Sequence, residues 1–149
     1  MLKRLSAIVA LALVATPASA RPDSDMLRKL GMLGAWAVNC ANAAGDSNPH
    51  LEYIASASGY PTRKTVTSGK PTFAEMRNVR LVASDRIAFL DVRKPDGDRT
   101  NIVLAVMGQR WHSQDASDMD GKAYIKKGKF VSSGQATPVF EKCSGGRTQ

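Results

Sequence analysis

The chain consists mainly of short apolar or alternating runs separated by turn-forming residues. Turn signals such as Ser68-Gly69, Asp120-Gly121 and Ser133-Gly134 recur at short intervals. Runs of this length with such boundaries are typical of β-strands joined by tight turns. The predicted strands are Ala35–Cys40, Leu51–Ala55, Arg63–Thr67, Val79–Ala83, Arg86–Arg93, Asn101–Met107, Arg110–Gln114, Lys122–Lys126, Lys129–Ser132 and Pro138–Cys143. We therefore expect an all-β fold, an antiparallel meander of about 8–10 short strands forming a barrel or a sandwich.

One helix precedes these strands. Ser24 is a candidate N-cap, and Gly34 is a stop signal after Leu33. Between them the apolar residues Met26, Leu27 and Leu30 follow the spacing of one helical face. The pattern predicts a single short amphipathic helix over Ser24–Leu33.

Two of the predicted strands are apolar on both faces. Ile87–Leu90 and Ile102–Met107 lack the alternation expected of a barrel wall whose outer face meets water. Their outer faces should therefore be covered. We expect the N-terminal helix to provide the cover, because its own apolar face needs a partner. A second subunit, and hence a homodimer, is the alternative.

The first twenty residues have the pattern of a secretory signal peptide. Lys3 and Arg4 precede the apolar run Leu5–Val14, and Thr16–Ala20 ends in the small residues that signal peptidase recognises. We expect cleavage after Ala20, with residues 21–149 forming one β-rich domain in the periplasm. The apolar run is too short to span a bilayer comfortably, and no transmembrane segment is predicted.

The two cysteines, Cys40 and Cys143, are predicted to form a disulfide, and two buried free thiols are the alternative. Export places them in an oxidising compartment, and they lack the Cys-x-x-Cys spacing of redox motifs. In a barrel, this pairing is compatible with only some arrangements of the first and last strands. The first and last strands of an even-stranded barrel are antiparallel neighbours, so cysteines at both C-terminal ends would lie at opposite rims. They can meet if the strand number is odd, if one cysteine lies mid-strand, or if a segment bends back.

The net charge favours anionic partners without identifying one. The formal charge of +8 falls to +6 once Lys3 and Arg4 are removed. Outside the cytoplasm, anionic partners are lipid headgroups or acidic polymers, and nucleic acid is not expected. The basic residues are scattered, with local clusters only at Arg63-Lys64, Arg93-Lys94 and residues 126–129. A solvated surface is the simpler explanation.

Motifs of catalysis are missing from the sequence. His50 and His112 are the only histidines, and no nucleophile elbow, zinc-protease motif or phosphate-binding glycine loop accompanies them. Asp115, Asp118 and Asp120 suggest calcium, but the spacing does not fit an EF-hand, and a polar hairpin explains the same residues. We expect a protein that is not an enzyme and that has no cofactor and no metal site.

The segment Gly34-Ala35-Trp36 resembles the Gly-x-Trp start of the first strand in lipocalin-like barrels. The resemblance implies a lipocalin-like barrel in which the tryptophan closes one end. It also implies a basic partner for that ring in the final strand, where Lys142 stands in place of the usual arginine. The chain is similar as well to small exported proteins of alphaproteobacteria.

These patterns predict a binding protein for a small apolar or amphipathic molecule. A barrel of this size can keep a small cavity in its mouth. The candidate ligand-binding residues are Trp36, Tyr53, Trp111, Arg110 and Tyr124, with an anionic ligand head near Arg110 or the lysine-rich hairpin. The alternative is a cell-envelope protein-interaction or inhibitor module that uses an edge strand or an exposed loop. A hydrolase is a third hypothesis that no motif supports.

Overall fold

The computed structural model describes residues 22–57 and 59–144, and strands dominate this part of the chain. The predicted signal peptide, Met1–Ala20, lies outside the described residues. The elements in chain order are α1 (Pro22–Lys29), β1 (Gly34–Ala37), β2 (His50–Ile54), β3 (Thr62–Val66), β4 (Thr72–Ala83), β5 (Arg86–Lys94), β6 (Arg99–Met107), β7 (Arg110–Ser117), β8 (Ala123–Lys126), β9 (Lys129–Phe130) and β10 (Val139–Lys142). The all-β prediction with one short N-terminal helix is confirmed.

The sheet closes into an eight-stranded antiparallel barrel. Strands β1 to β7 form a meander, and β10 closes it by pairing with both β7 and β1. The closing pairs include Phe140 opposite Trp111 and Lys142 opposite Trp36. Strands β8 and β9 continue from the second half of β7, where Ala116 pairs with Ile125. Of the two predicted architectures, the barrel is therefore the one formed.

Helix α1 closes one end of the barrel. Leu27 and Met32 are fully buried and belong to the barrel core. Asp23 Oδ1 accepts a hydrogen bond of 2.7 Å from the backbone N–H of Val79, which fixes the helix against β4. Helix α1 thus packs at the barrel end. Contrary to the prediction from the sequence, it does not cover the outer faces of β5 and β6. On those faces the small residues Ala88 and Ala105 are buried.

The start of strand β4 differs from the predicted one for a local reason. Strand β4 begins at Thr72, seven residues before the predicted start at Val79. Its middle contains a register shift between Arg77 and Arg80, and Asn78 has a φ of 57°. This irregularity interrupts the alternation on which the prediction depended. It also turns Val79 into the core.

The predicted disulfide between Cys40 and Cys143 is present, with a Cα–Cα distance of 5.5 Å. Strand β1 ends at Ala37, earlier than predicted, and the chain bends back beside β10. Consequently the Cys40 N–H donates to Glu141 Oε1 at 3.4 Å, while the Cys143 N–H donates to the Ala35 carbonyl at 2.9 Å. The bend after β1 reconciles the pairing with an even number of strands.

No helix within the described ranges is long and apolar enough to cross a membrane.

Candidate functional site

The barrel end opposite α1 opens into a cleft of about 430 Å³. Loops 38–49, 67–71 and 95–98 surround this mouth. The side chains that line the cleft come from the loop before β2 and from β2, β3, β4, β5 and β10. They are Pro49, Leu51, Arg63, Thr65, Thr72, Phe73, Ala74, Arg93 and Phe140. The cleft thus combines apolar, hydroxyl and guanidinium groups.

An ion pair forms the polar floor of this cleft. Arg63 on β3 pairs in register with Ala74 on β4, and Asp91 lies on β5, one strand farther. Because Ala74 has only a methyl side chain, the Arg63 side chain reaches across β4. Its Nη2 donates to Asp91 Oδ2 at 2.8 Å. The small residue at position 74 is therefore what allows the pair to form.

Three polar atoms around this pair have no hydrogen-bond partner among the described residues. They are Arg63 Nε, Asp91 Oδ1 and the Tyr53 hydroxyl. Asp91 is only 6% exposed and Tyr53 only 2%. Buried polar atoms of native proteins are nearly always paired. The three atoms therefore mark a place where a polar group of another molecule would be stabilised.

Burial determines the ionisation of the floor. Desolvation raises the pKa of Asp91, and the nearby Arg63 and Arg93 charges oppose that shift. Desolvation also raises the pKa of the Tyr53 phenol far above its usual value, so Tyr53 stays neutral and keeps its proton. Arg63 and Asp91 both lie close enough to Tyr53 to influence its pKa. The floor thus has a cation that lines the cleft, with a carboxylate and a neutral hydroxyl buried near it.

Acidic neighbours offset the charge at the rim. Arg93 lies 3.9 Å from Asp96 and 3.7 Å from Asp98, and all three side chains are largely exposed. Exposed pairs of this kind contribute little energy, but they lower the local positive potential. The mouth is therefore not a strongly cationic site.

An aromatic cluster supports the apolar wall. Phe140 stacks on Trp111 with ring centres 4.3 Å apart and an interplanar angle of 13°. Trp111 in turn makes edge contacts with Trp36 at 6.3 Å and Tyr53 at 6.1 Å. The lining residue Phe140 is thus held by rings that lie behind it.

The five predicted ligand-binding residues separate into two groups. Trp36, Tyr53 and Trp111 come together in this cluster beneath the cleft, and Tyr53 supplies one of the unpartnered polar atoms. Arg110 and Tyr124 lie elsewhere. Arg110 is exposed at the start of β7, on the α1 end of the barrel, and Tyr124 is 46% exposed on β8. The predicted anionic-head position at Arg110 is therefore remote from the cleft.

The sequence interpretation missed the two residues of the floor. Asp91 stands inside the apolar run of β5 and shares the inward face of Ile87 and Phe89. A carboxylate on the inward face of an apolar strand is the sequence signal that could have identified Asp91 as a site residue. Arg63 gave no comparable signal, because its partner lies 28 residues away and is brought near only by the pairing of β3, β4 and β5.

The remaining candidate groups are held by local structure. Asp118 Oδ1 accepts from the backbone N–H groups of Asp120 and Lys122, as expected of a polar hairpin. Nε2 of His50 lies 3.0 Å from the Asn42 carbonyl, and Nδ1 of His112 lies 3.3 Å from Thr137 Oγ1. Across residues 22–57 and 59–144, no group of three or more His, Cys, Asp or Glu residues is arranged to hold a metal ion.

No protein-family model matches the chain, and neither a curated protein nor a solved structure is found to match it. Its function is accordingly inferred from the geometry of its own residues.

Proposed function

We propose that this protein is a non-enzymatic binding protein that holds a small amphipathic molecule in the mouth of its barrel. The observation that supports this proposal is the cleft itself, in which an apolar wall faces a polar floor. Concave sites that combine an apolar lining with a few convergent polar groups are the usual form of small-molecule sites. The mouth of a small barrel is a common location for them.

The wall would receive the apolar part of the ligand. Leu51 and Phe140 line the cleft from the inward faces of β2 and β10. Removing apolar surface from water contributes roughly 25 cal/mol per Å². Apolar contact can therefore provide much of the affinity.

Hydrogen bonds, more than attraction by net charge, would hold the polar end of the ligand. Arg63 already pairs with Asp91, and Arg93 lies near two aspartates of its own loop. An anionic head, which the sequence suggested, would meet guanidinium and carboxylate groups together. The proposal therefore specifies an amphipathic ligand and does not require an anionic head.

The proposal places the protein in the periplasm. The signal-peptide pattern of residues 1–20 supports this location, and the Cys40–Cys143 disulfide is consistent with an oxidising compartment.

The second candidate function is a protein-interaction module, and one observation favours it. Leu81, Val82 and Met107 are each about half exposed on the hairpins at the α1 end of the barrel. A hydrogen bond from the Val106 N–H to the Asp85 carbonyl joins these two hairpins, so the three side chains belong to one region. Exposed apolar patches of this kind occur at protein interfaces.

A fluorescence titration with N-phenyl-1-naphthylamine, an apolar probe, tests the cleft. Thr72 lies exposed at the cleft rim, so Thr72→Trp should obstruct the entrance without overpacking the core. Val82→Trp is the matched control, because Val82 is 50% exposed on the same strand at the opposite end. We expect saturable binding that Thr72→Trp weakens and Val82→Trp preserves. Equal effects of the two variants would contradict binding in the cleft.

Native mass spectrometry of the protein purified from the exporting cell tests the choice between the two functions. A bound small molecule that denaturation releases would support the carrier function and reveal the ligand class. A second protein bound to an otherwise ligand-free chain would favour the interaction module.

A further inference from the structure

We propose that the floor of the cleft recognises a neutral head group that donates one hydrogen bond and accepts another, and that this group is a primary carboxamide. The carboxamide would accept from Arg63 Nε and donate to Asp91 Oδ1. This inference rests on the proposed function and adds to it the chemistry and the orientation of the ligand.

The pairing of Arg63 and Asp91 is incomplete. An arginine can present Nε and Nη2 to both oxygens of one carboxylate, which gives two parallel hydrogen bonds. Here only Nη2 and Oδ2 are paired, at 2.8 Å. One donor, Nε, and one acceptor, Oδ1, remain without partners among the described residues.

The burial of these atoms makes their pairing energetically important. Asp91 is more than nine-tenths buried, and each of the unpartnered atoms is inaccessible to solvent. A buried donor or acceptor without a partner carries a desolvation penalty that a ligand can remove. Arg63 itself lines the cleft whereas Asp91 does not, so a ligand that enters the mouth would meet Arg63 first and would reach Asp91 only past that side chain.

Charge selects among the possible head groups. A carboxylate would place a second negative charge beside Asp91, whereas an ammonium group would lie beside the Arg63 guanidinium. A ketone or ether could accept from Arg63 Nε but would leave Asp91 Oδ1 unpaired. A primary carboxamide satisfies both atoms without adding charge, and the Tyr53 hydroxyl can donate to its second carbonyl lone pair.

The position of the pair fixes the orientation of the ligand. Arg63 and Asp91 form the floor, whereas the exposed Thr72 lies at the rim. The ligand would therefore enter with its polar head first and leave its apolar part against Leu51 and Phe140.

Three probes of nearly identical shape test the head group. Hexanamide, hexanoate and 2-heptanone share a pentyl chain and differ only in one atom or group on the terminal carbonyl. Their dissociation constants would be measured by ¹⁵N chemical-shift titration of the disulfide-bonded mature chain at pH 7. We expect hexanamide to bind about tenfold more tightly than either analogue, since each analogue leaves a buried polar atom unpaired or adds a repulsive charge.

Asp91→Asn provides the specificity test. Removing the carboxylate charge should strengthen hexanoate binding relative to hexanamide. The ratio of the hexanoate to the hexanamide dissociation constant should therefore fall. Glu52→Gln removes the same charge from the outer face of β2, where Glu52 lies 3.9 Å from Lys64, and should leave the preference unchanged. If Asp91→Asn does not fold, the three-probe series on the unmodified chain decides the question alone.

The outcomes distinguish a failure of the carboxamide inference from a failure of the proposal that the cleft binds a ligand. Equal binding of hexanamide and 2-heptanone, or tightest binding of hexanoate, would overturn the carboxamide inference and leave the cleft proposal standing. Binding of none of the three probes would also overturn it. The naphthylamine titration then shows separately whether the cleft binds apolar molecules at all.

Discussion

Lys142 lies over the ring of Trp36, with its Nζ 5.5 Å from the ring centre. The same Nζ donates a 2.6 Å hydrogen bond to the Gly31 carbonyl, and Trp36 Nε1 donates to the Met32 carbonyl at 2.9 Å. The last strand, the first strand and the segment after α1 are thus joined at one point. This arrangement is the basic partner for the tryptophan that the Gly-x-Trp resemblance implies.

Replacing Lys142 should weaken that junction moderately. Lys142→Met keeps an unbranched side chain but removes the charge over Trp36 and the donor to Gly31. We expect the free energy of unfolding to fall by about 1–2 kcal/mol, the sum of a cation–π contact and one hydrogen bond. Urea denaturation measures the loss. Lys126→Met, on exposed β8, is the control, and equal losses in both variants would show that the Trp36 contact contributes nothing specific.

Removing the Trp36 ring should have a larger effect. The ring is 1% exposed and contacts Trp111, so Trp36→Ala leaves a cavity in the barrel core. We expect a loss of about 3–5 kcal/mol of unfolding free energy by chemical denaturation. A loss below about 1 kcal/mol would show that the core collapses around the missing ring and that Trp36 does not sustain the fold.

The disulfide should stabilise the chain chiefly by restricting its unfolded state. It joins residues 103 positions apart, and a loop of that length corresponds to about 4–5 kcal/mol in the chain-entropy model. We expect Cys143→Ser to lower the melting temperature in oxidising buffer. Reduction should lower that of the unmodified chain and leave the variant unchanged. A variant that melts at the unmodified temperature would contradict a stabilising role for the bond.

Acidification should change the contributions of Asp91 and Glu75 to the free energy of unfolding in opposite directions. Burial raises the pKa of Asp91, so the folded chain binds this proton more readily than the unfolded chain. The Asp91 contribution to stability therefore increases as the pH falls from 7 toward about 4, the unfolded value. The hydrogen bond from Arg77 lowers the pKa of Glu75, so its stabilising contribution is lost as the pH falls below about 4.3.

Urea denaturation of Asp91→Asn and Glu75→Gln between pH 7 and pH 3 separates the two effects. Relative to Asp91→Asn, the unmodified chain should gain stability on acidification. Relative to Glu75→Gln, it should lose stability. Parallel pH profiles for the two variants would contradict this assignment.

The strands could be predicted from the sequence because each strand is a local pattern, whereas the site depends on how three strands pair. Turn residues and apolar runs sufficed for the ten strand-like segments, and the cysteine pair sufficed for the disulfide. The Arg63–Asp91 pair could not be found in this way, because it depends on the register of β3, β4 and β5, which places Ala74 between the two residues. The bulge at Asn78 obscured β4 for a different reason, since it breaks the alternation within that strand.

The attachment of the β8–β9 hairpin to the barrel should depend on Gly128. Its φ is +73°, and a Cβ built there would lie 3.1 Å from His112 Cε1. The Gly128 N–H donates to the Gln114 carbonyl at 2.7 Å, and its carbonyl accepts from the Thr137 N–H at 2.8 Å. A side chain at this position therefore meets an unfavourable backbone conformation and a close neighbour at once.

Gly97→Ala separates those two contributions. Gly97 also has a positive φ, +81°, but no atom beyond its two chain neighbours lies within 4 Å of the point that a Cβ would occupy there. We expect Gly97→Ala to reduce the unfolding free energy by about 1 kcal/mol, the cost of the left-handed backbone conformation alone. Gly128→Ala should reduce it further, because His112 must also move. Equal losses in urea denaturation would mean that His112 yields freely and that the close approach at Gly128 does not constrain the hairpin.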